Sequence, residues 1–183
     1  MKQLVLLDRD GVINFDSKEF IKSPEEWRLI DGAAEAIAKL NQAKVLCAIV
    51  SNQSGLARKL FTLDTLMQIN IKMQKQLARK NAHVEFMLFC PHGPDDDCDC
   101  RKPQPKLLLE AMERTGCEPK NTSFVGDSLR DIQAAFKAEI TPILVRTGNG
   151  AKTEEENHVD LESVQVFDTL MDFVDDYLAD SED

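Results

Sequence analysis

Asp8 and Asp10 stand one residue apart in Leu4-Val5-Leu6-Leu7-Asp8-Arg9-Asp10-Gly11-Val12-Ile13-Asn14, directly after four consecutive aliphatic residues. Side chains two apart on an extended chain face alike, and the glycine that follows allows a sharp turn, so both carboxylates are expected to enter one crevice. Such a pair has two uses. One acid attacks an electrophile while the other gives and takes a proton, or both help hold a hard cation such as magnesium. Three more polar sets follow along the chain: Ser51-Asn52-Gln53-Ser54-Gly55, Arg101-Lys102-Pro103 and Gly126-Asp127-Ser128-Leu129-Arg130-Asp131. Carboxylates for magnesium, with lysine, hydroxyl and turn amides for phosphate oxygens, suit phosphoryl transfer better than acyl or hydride chemistry. The chain has no glycine-rich P-loop, so a nucleoside triphosphate is not indicated.

A second constellation is Cys90-Pro91-His92, five intervening residues, then Cys98-Asp99-Cys100. Two close pairs of soft ligands across a short loop match a closed tetrahedral zinc site, and a loop rich in Gly, Pro and Asp has no hydrophobic means of holding its shape. Four protein ligands leave no open position, so the expected zinc is structural. Cys47, in a strand, and Cys117, after a helix, read as plain thiols.

These residues must be positioned by alternating strands and helices. Leu4 to Leu7 is too short and too uniformly apolar for an amphipathic helix and reads as a strand buried on both faces. Strands are also expected at Val45–Val50, Val84–Phe89, Thr122–Val125 and Ile143–Val145. Helices are expected from Ala33 with Asp31 as its cap, over Leu63–Arg79, Pro105–Arg114 and Leu129–Lys137, and at Leu170–Leu178. For the Leu63–Arg79 helix the expected core contacts are Leu63, Leu66, Met67, Ile71, Met73 and Leu77, with its basic residues as a solvated face. Phe15 to Ile30 reads as irregular surface chain. This order implies an α/β fold, a Rossmann-like doubly wound parallel sheet whose ligand crevice lies at the carboxyl ends of the strands, where the polar sets fall.

The chain has 183 residues, 43% of them hydrophobic, with a formal net charge of -10. That size suits one domain, taken as 1–178 with the zinc loop at 90–100 and a frayed acidic end at 179–183. The negative balance argues against a nucleic-acid footprint and against anionic membrane surfaces, so a polyanionic substrate needs a locally cationic pocket. No apolar run approaches the roughly 20 residues of a membrane span, no signal peptide is apparent, and five cysteines read as thiols or metal ligands of a reducing compartment. A cytoplasmic monomer is expected.

The four polar sets, in this order, resemble the motifs of the haloacid dehalogenase superfamily of phosphatases. The resemblance implies that Asp8 is the nucleophile that forms an aspartyl-phosphate, and that Asp10 protonates the leaving alcohol and then activates water. It further implies that Asp8, Asp127 and the main-chain carbonyl of Asp10 hold magnesium, that Ser51 and Lys102 grip phosphoryl oxygens, and that Asp131 orients Lys102 or a metal-bound water. The zinc loop just before Arg101-Lys102-Pro103 is similar to one capless branch, the heptose-bisphosphate 7-phosphatases, together with histidinol phosphatases that share the loop. In that branch the zinc loop, the segment after the first motif and Arg101 shape the substrate pocket. Here this puts Asp16, Glu19, Asn52, Gln53 and Arg101 against a small phosphorylated sugar, with Arg58 and Lys59 as further cations for a second anionic group. Histidinol phosphate, carrying an amine, would instead favour an acidic rim such as Asp16 and Glu19. A receiver-type signalling domain also sets a phosphoacceptor Asp at a strand end, but lacks an acid-base at the position of Asp10.

Overall fold

Leu4–Leu7 (β1) is buried at every position and lies inside a six-stranded parallel sheet, between Leu46–Asn52 (β2) and Thr122–Gly126 (β4). The computed structural model describes residues 2–179. Met87–Cys90 (β3) extends the sheet beyond β2, and Thr141–Val145 (β5) with Gln165–Phe167 (β6) extends it beyond β4, giving the order β3-β2-β1-β4-β5-β6. Strand order reverses beside β1, and that switch point is where an open sheet of this kind leaves a crevice.

Alternation along the strands divides the interior in two. Val5, Leu7, Cys47, Ile49, Val125, Ile143 and Val145 face a layer formed by Ala33–Gln42 (α1), Leu63–Ala78 (α2) and Leu170–Ala179 (α6), with Trp27 fully buried in it. Leu4, Leu6, Ala48, Val50 and Phe124 face Lys106–Thr115 (α3) and Leu129–Lys137 (α4). A parallel sheet covered on both faces leaves loops at the strand ends as the natural home for polar chemistry.

Some expected elements are displaced. The cap of α1 is Gly32, in a left-handed conformation at φ 83°, and not Asp31; β3 begins at Met87 and not at Val84. The short helix Gly150–Glu155 (α5) and the three-residue strand β6 were not expected. On α2 the buried residues are Leu66, Ile69, Met73 and Leu77, whereas Leu63, Met67 and Ile71 are 54%, 49% and 46% exposed. The helix carries more apolar residues than one stripe holds, and spacings of three, four and four from Leu66 pick the stripe that packs. Lys72 is not simply solvated, because its Nζ donates to the carbonyls of Pro24 and Trp27 (2.9 Å for the latter), pinning the Phe15–Ile30 segment. Of the expected frayed end, Ala179 closes α6, and 180–183 lie outside the described residues.

Candidate active site

β1 ends one residue before Asp8, whose N–H donates to the carbonyl of Val125 at 2.9 Å, so the acid is fixed by a neighbouring strand and not by its own. Its carboxylate meets Lys102, with Nζ 2.9 Å from Oδ2. Lys102 Nζ also lies 2.7 Å from Asp131 Oδ1, donates to the carbonyl of Val50 at 3.0 Å, and sits over the Phe124 ring. The side chain is 2% exposed. Burial alone would strip the ammonium of its proton, but the carboxylates of Asp131 and Asp8 outweigh it and hold the lysine above its ordinary value. Its backbone is held in turn by a reciprocal pair with Asn52, whose Oδ1 accepts from Lys102 N at 3.1 Å and whose Nδ2 donates to Lys102 O at 3.2 Å.

Asp127 joins Asp8 and Asp131 in a cluster whose candidate ligand oxygens lie within 4.8 Å of one another. Three buried acids share one lysine, and the electrostatics register the shortfall. Burial, opposed in part by Lys102, pushes Asp8 up to about 6; burial together with Asp131 and Asp8 pushes Asp127 up to about 8. The donor set therefore fits a hard divalent cation, all oxygen and, with the three acids ionised, two positive charges short of balance. Asp131 fits a supporting position. Its Oδ1 faces Lys102, and its Oδ2 accepts from Ser128 N at 3.1 Å and Ser128 Oγ at 2.6 Å, closing the first turn of α4 as a capping box.

Asp10 lies in the same crevice, embedded in donors. Arg9 Nη2 lies 2.9 Å from both carboxylate oxygens, Asn14 Nδ2 donates to Oδ1 at 2.8 Å, and Gln53 Nε2 donates to Oδ2 at 2.9 Å. Gln53 Nε2 also donates to Ser51 Oγ at 3.0 Å, which turns the Ser51 hydroxyl proton toward another acceptor. Both amides thus serve the frame of the site. Sequence reading placed Asn52 and Gln53 against substrate; both line the crevice, and Gln53 Oε1 also accepts from the buried Arg9 at 3.2 Å.

The crevice, of about 290 Å³, is lined by these groups together with Asp16, Phe20, Arg58, Arg101, Arg130 and Asn149. Arg130 and Asn149 were not foreseen; Glu19 lies in an adjoining hollow and Lys59 is not among the lining residues. Burial and the facing guanidiniums of Arg130 and Arg58 hold Arg101 below its ordinary pKa, which places three cations around one side of the opening. Arg101 Nη1 donates to the carbonyl of His92 at 3.2 Å, tying that cation to the cysteine loop.

In that loop Cys90 Sγ lies 3.1 Å from Cys100 Sγ, 3.9 Å from Cys98 Sγ and 3.6 Å from His92 Nδ1, and His92 Nδ1 lies 3.3 Å from Cys100 Sγ. Bonds of about 2.0–2.3 Å to a central zinc would give tetrahedral edges of about 3.5–3.8 Å, so the four residues already surround a volume of the right size. Cys47 and Cys117 are buried elsewhere.

The HAD-hydrolase-like family model matches residues 99–173. The chain is 49% identical to the D-glycero-beta-D-manno-heptose-1,7-bisphosphate 7-phosphatase of Bordetella bronchiseptica over 151 residues, 82% of this chain and 84% of that one. It is 42% identical to the protein of the same name from Neisseria meningitidis over 172 residues, 93% of this chain and 92% of that one. The crystal structure of D,D-heptose 1,7-bisphosphate phosphatase from B. bronchiseptica, complexed with magnesium and phosphate, superposes with a TM-score of 0.94 at 44% identity, covering 98% of this chain and 99% of that chain. With the buried acid cluster, the lysine between two of its members and these near full-length matches, the chain belongs to the D-glycero-beta-D-manno-heptose-1,7-bisphosphate 7-phosphatase family of haloacid dehalogenase-like hydrolases.

Proposed function

We propose that this chain is a magnesium-dependent phosphomonoester hydrolase that removes the 7-phosphate of D-glycero-D-manno-heptose 1,7-bisphosphate. The observation that carries the reading is the buried Asp8 carboxylate, 2.9 Å from Lys102 Nζ and clustered with an Asp127 that has no basic partner among the described ion pairs. An anionic nucleophile approaches an anionic phosphate only where positive charge is held beside it. When bound by Asp8, Asp127 and the main-chain carbonyl of Asp10, magnesium supplies that charge to the phosphoryl oxygens.

The protein groups then divide the reaction. A carboxylate oxygen of Asp8 forms a bond to phosphorus as the bond from phosphorus to the sugar oxygen breaks, and Asp10 gives its proton to that oxygen. Asp10 next takes a proton from water, whose oxygen attacks phosphorus and releases Asp8 and inorganic phosphate. Lys102 and the Ser51 hydroxyl meet the phosphoryl oxygens, and Asp131 holds Lys102 in place. Arg9, Asn14 and Gln53 hold the Asp10 carboxylate in place as the proton acceptor of the second transfer. Arg58, Arg101 and Arg130 at the mouth suit the second phosphate of a bisphosphate better than the amine of histidinol phosphate.

Zinc held by Cys90, His92, Cys98 and Cys100 is structural in this reading, keeping Arg101 and Lys102 at the crevice. Thiol ligands suit a reducing compartment such as the cytoplasm. No helix among the described residues is long and apolar enough to cross a membrane.

Phosphate release measured side by side on both anomers of the heptose bisphosphate, fructose 1,6-bisphosphate and histidinol phosphate tests the assignment. The highest kcat/KM is expected for a heptose bisphosphate anomer. Highest efficiency on histidinol phosphate would overturn it.

A further inference from the structure

The turn after β5 belongs to none of the polar sets from which the reaction was read, yet it closes over the acid cluster. Thr147 Oγ1 donates to the carbonyl of Gly11 at 2.6 Å, fastening this turn to the one that carries Asp10. Gly148, at φ 59°, packs where a Cβ would strike Asp127 Oδ2, so the backbone comes as near to that carboxylate as any chain can. Asn149 follows, with its backbone N–H donating to Asp127 Oδ2 at 2.8 Å and its side-chain Nδ2 donating to the same oxygen at 3.1 Å. Thr153 Oγ1 donates to the carbonyl of Asp127 at 3.0 Å, fixing the residue from the main-chain side as well.

Two donors on one carboxylate oxygen orient the group. Oδ2 has its acceptor positions filled by Asn149, so Oδ1 is the oxygen with lone pairs to spare for a cation. The same Nδ2 also donates to Asp16 Oδ2 at 2.9 Å, across 133 residues of sequence. Asp16 lines the crevice and lies outside helix and strand, in the irregular segment after the first motif. One amide therefore touches a candidate cation ligand and the substrate-facing loop at once.

We propose that Asn149 is a positioning residue that aims Asp127 at the divalent cation and, through Asp16, couples cation binding to the placement of the substrate loop. The proposal rests on the reading of Asp127 as a magnesium ligand. Groups that hold metal ligands in place typically contribute about 10–100-fold in metal affinity.

The test is magnesium titrated calorimetrically into full-length protein freed of divalent cation, for the wild type and for Asp127→Ala, Asn149→Ala, Asp16→Ala and the double variant Asn149→Ala with Asp16→Ala. Asn149→Ala is expected to weaken magnesium at least about tenfold, with a metal-free melting temperature within about 2 °C of wild type. Asp16→Ala should weaken it less, and the double variant no more than Asn149→Ala alone, because both substitutions break one link. If Asp127→Ala loses magnesium while Asn149→Ala keeps it within twofold, the inference fails and the ligand assignment stands. Wild-type affinity in Asp127→Ala would overturn the assignment and the inference together. Additive losses in the double variant would overturn the coupling, and if Asn149→Ala does not fold, unchanged affinity in Asp16→Ala would do the same.

Discussion

Lys102 carries the charge balance of the crevice, because it is the lone ammonium between Asp8 and Asp131 and is buried with them. Lys102→Met should destabilise the metal-free protein by about 3 kcal/mol or more at pH 8, since it leaves carboxylates buried without a partner. Urea unfolding checks this, and the loss should shrink at pH 5, where Asp8, titrating near 6, and Asp127, near 8, both take up protons. The sign for the wild type follows from the same groups. Asp127 is raised from 3.8 to about 8, so the folded, metal-free protein holds a proton that the unfolded chain has released, and stability falls as pH rises from about 4 to about 8. Magnesium favours the ionised form, so the gain in Tm on adding it should be larger at pH 8 than at pH 6; a gain independent of pH would contradict the assignment. Asp8→Asn should reduce turnover by more than about a thousandfold, whereas Asp10→Asn should keep phosphate binding while losing rate, as equilibrium binding beside steady-state kinetics will distinguish. That Asp8, Asp10, Ser51, Lys102 and Asp127 share one crevice was legible in the sequence because each sits in a short run of chemically suggestive neighbours. Arg130 and Asn149 were not, since their partners or neighbours are supplied by other segments: Arg101 for Arg130, and Asp127 and Asp16 for Asn149.

Among the elements, strands of four residues or more were readable, whether aliphatic as in β1 or mixed as in β4, and the shortest was not. β6 has three residues, Gln165 to Phe167, and no run to announce it, while α5 spans only six residues, short of two turns. The face of α2 was misjudged because Leu63, Met67 and Ile71 form a stripe as regular as the buried one, and periodicity alone does not say which stripe meets the sheet. The two stripes should differ sharply in chemical denaturation. Ile69→Ala should cost about 2–4 kcal/mol, and Ile71→Lys should stay within about 0.5 kcal/mol of wild type. On the proposed zinc assignment, the cysteine loop depends on metal more than any helix on its cap, since its four candidate ligand side chains converge on one point. Cys100→Ser, or removal of zinc by chelator, should lower Tm and raise KM for a bisphosphate more than for a monophosphate, because the Arg101 guanidinium leans on the His92 carbonyl of that loop. Elemental analysis showing no zinc in protein purified without chelators would return the cysteines to ordinary thiols.

Across the whole molecule, the doubly wound order was legible because the alternation of strands and helices admits few topologies, and the crevice fell where strand order reverses. What composition hid was local: a chain of net charge -10 gathers Arg58, Arg101 and Arg130 at one opening. The first strand to be made is an interior strand of the finished sheet, and the N–H of Asp8 finds its acceptor only in Val125, on a strand made more than a hundred residues later. Lys102, Asp127 and Asn149 likewise come from the second half of the chain. A polypeptide growing from its N-terminus therefore carries Asp8 long before Lys102 and Asp127 can meet it. Until that far strand docks, Asp8 lacks the groups that gather round it, and the acid cluster is completed only by the second half of the chain.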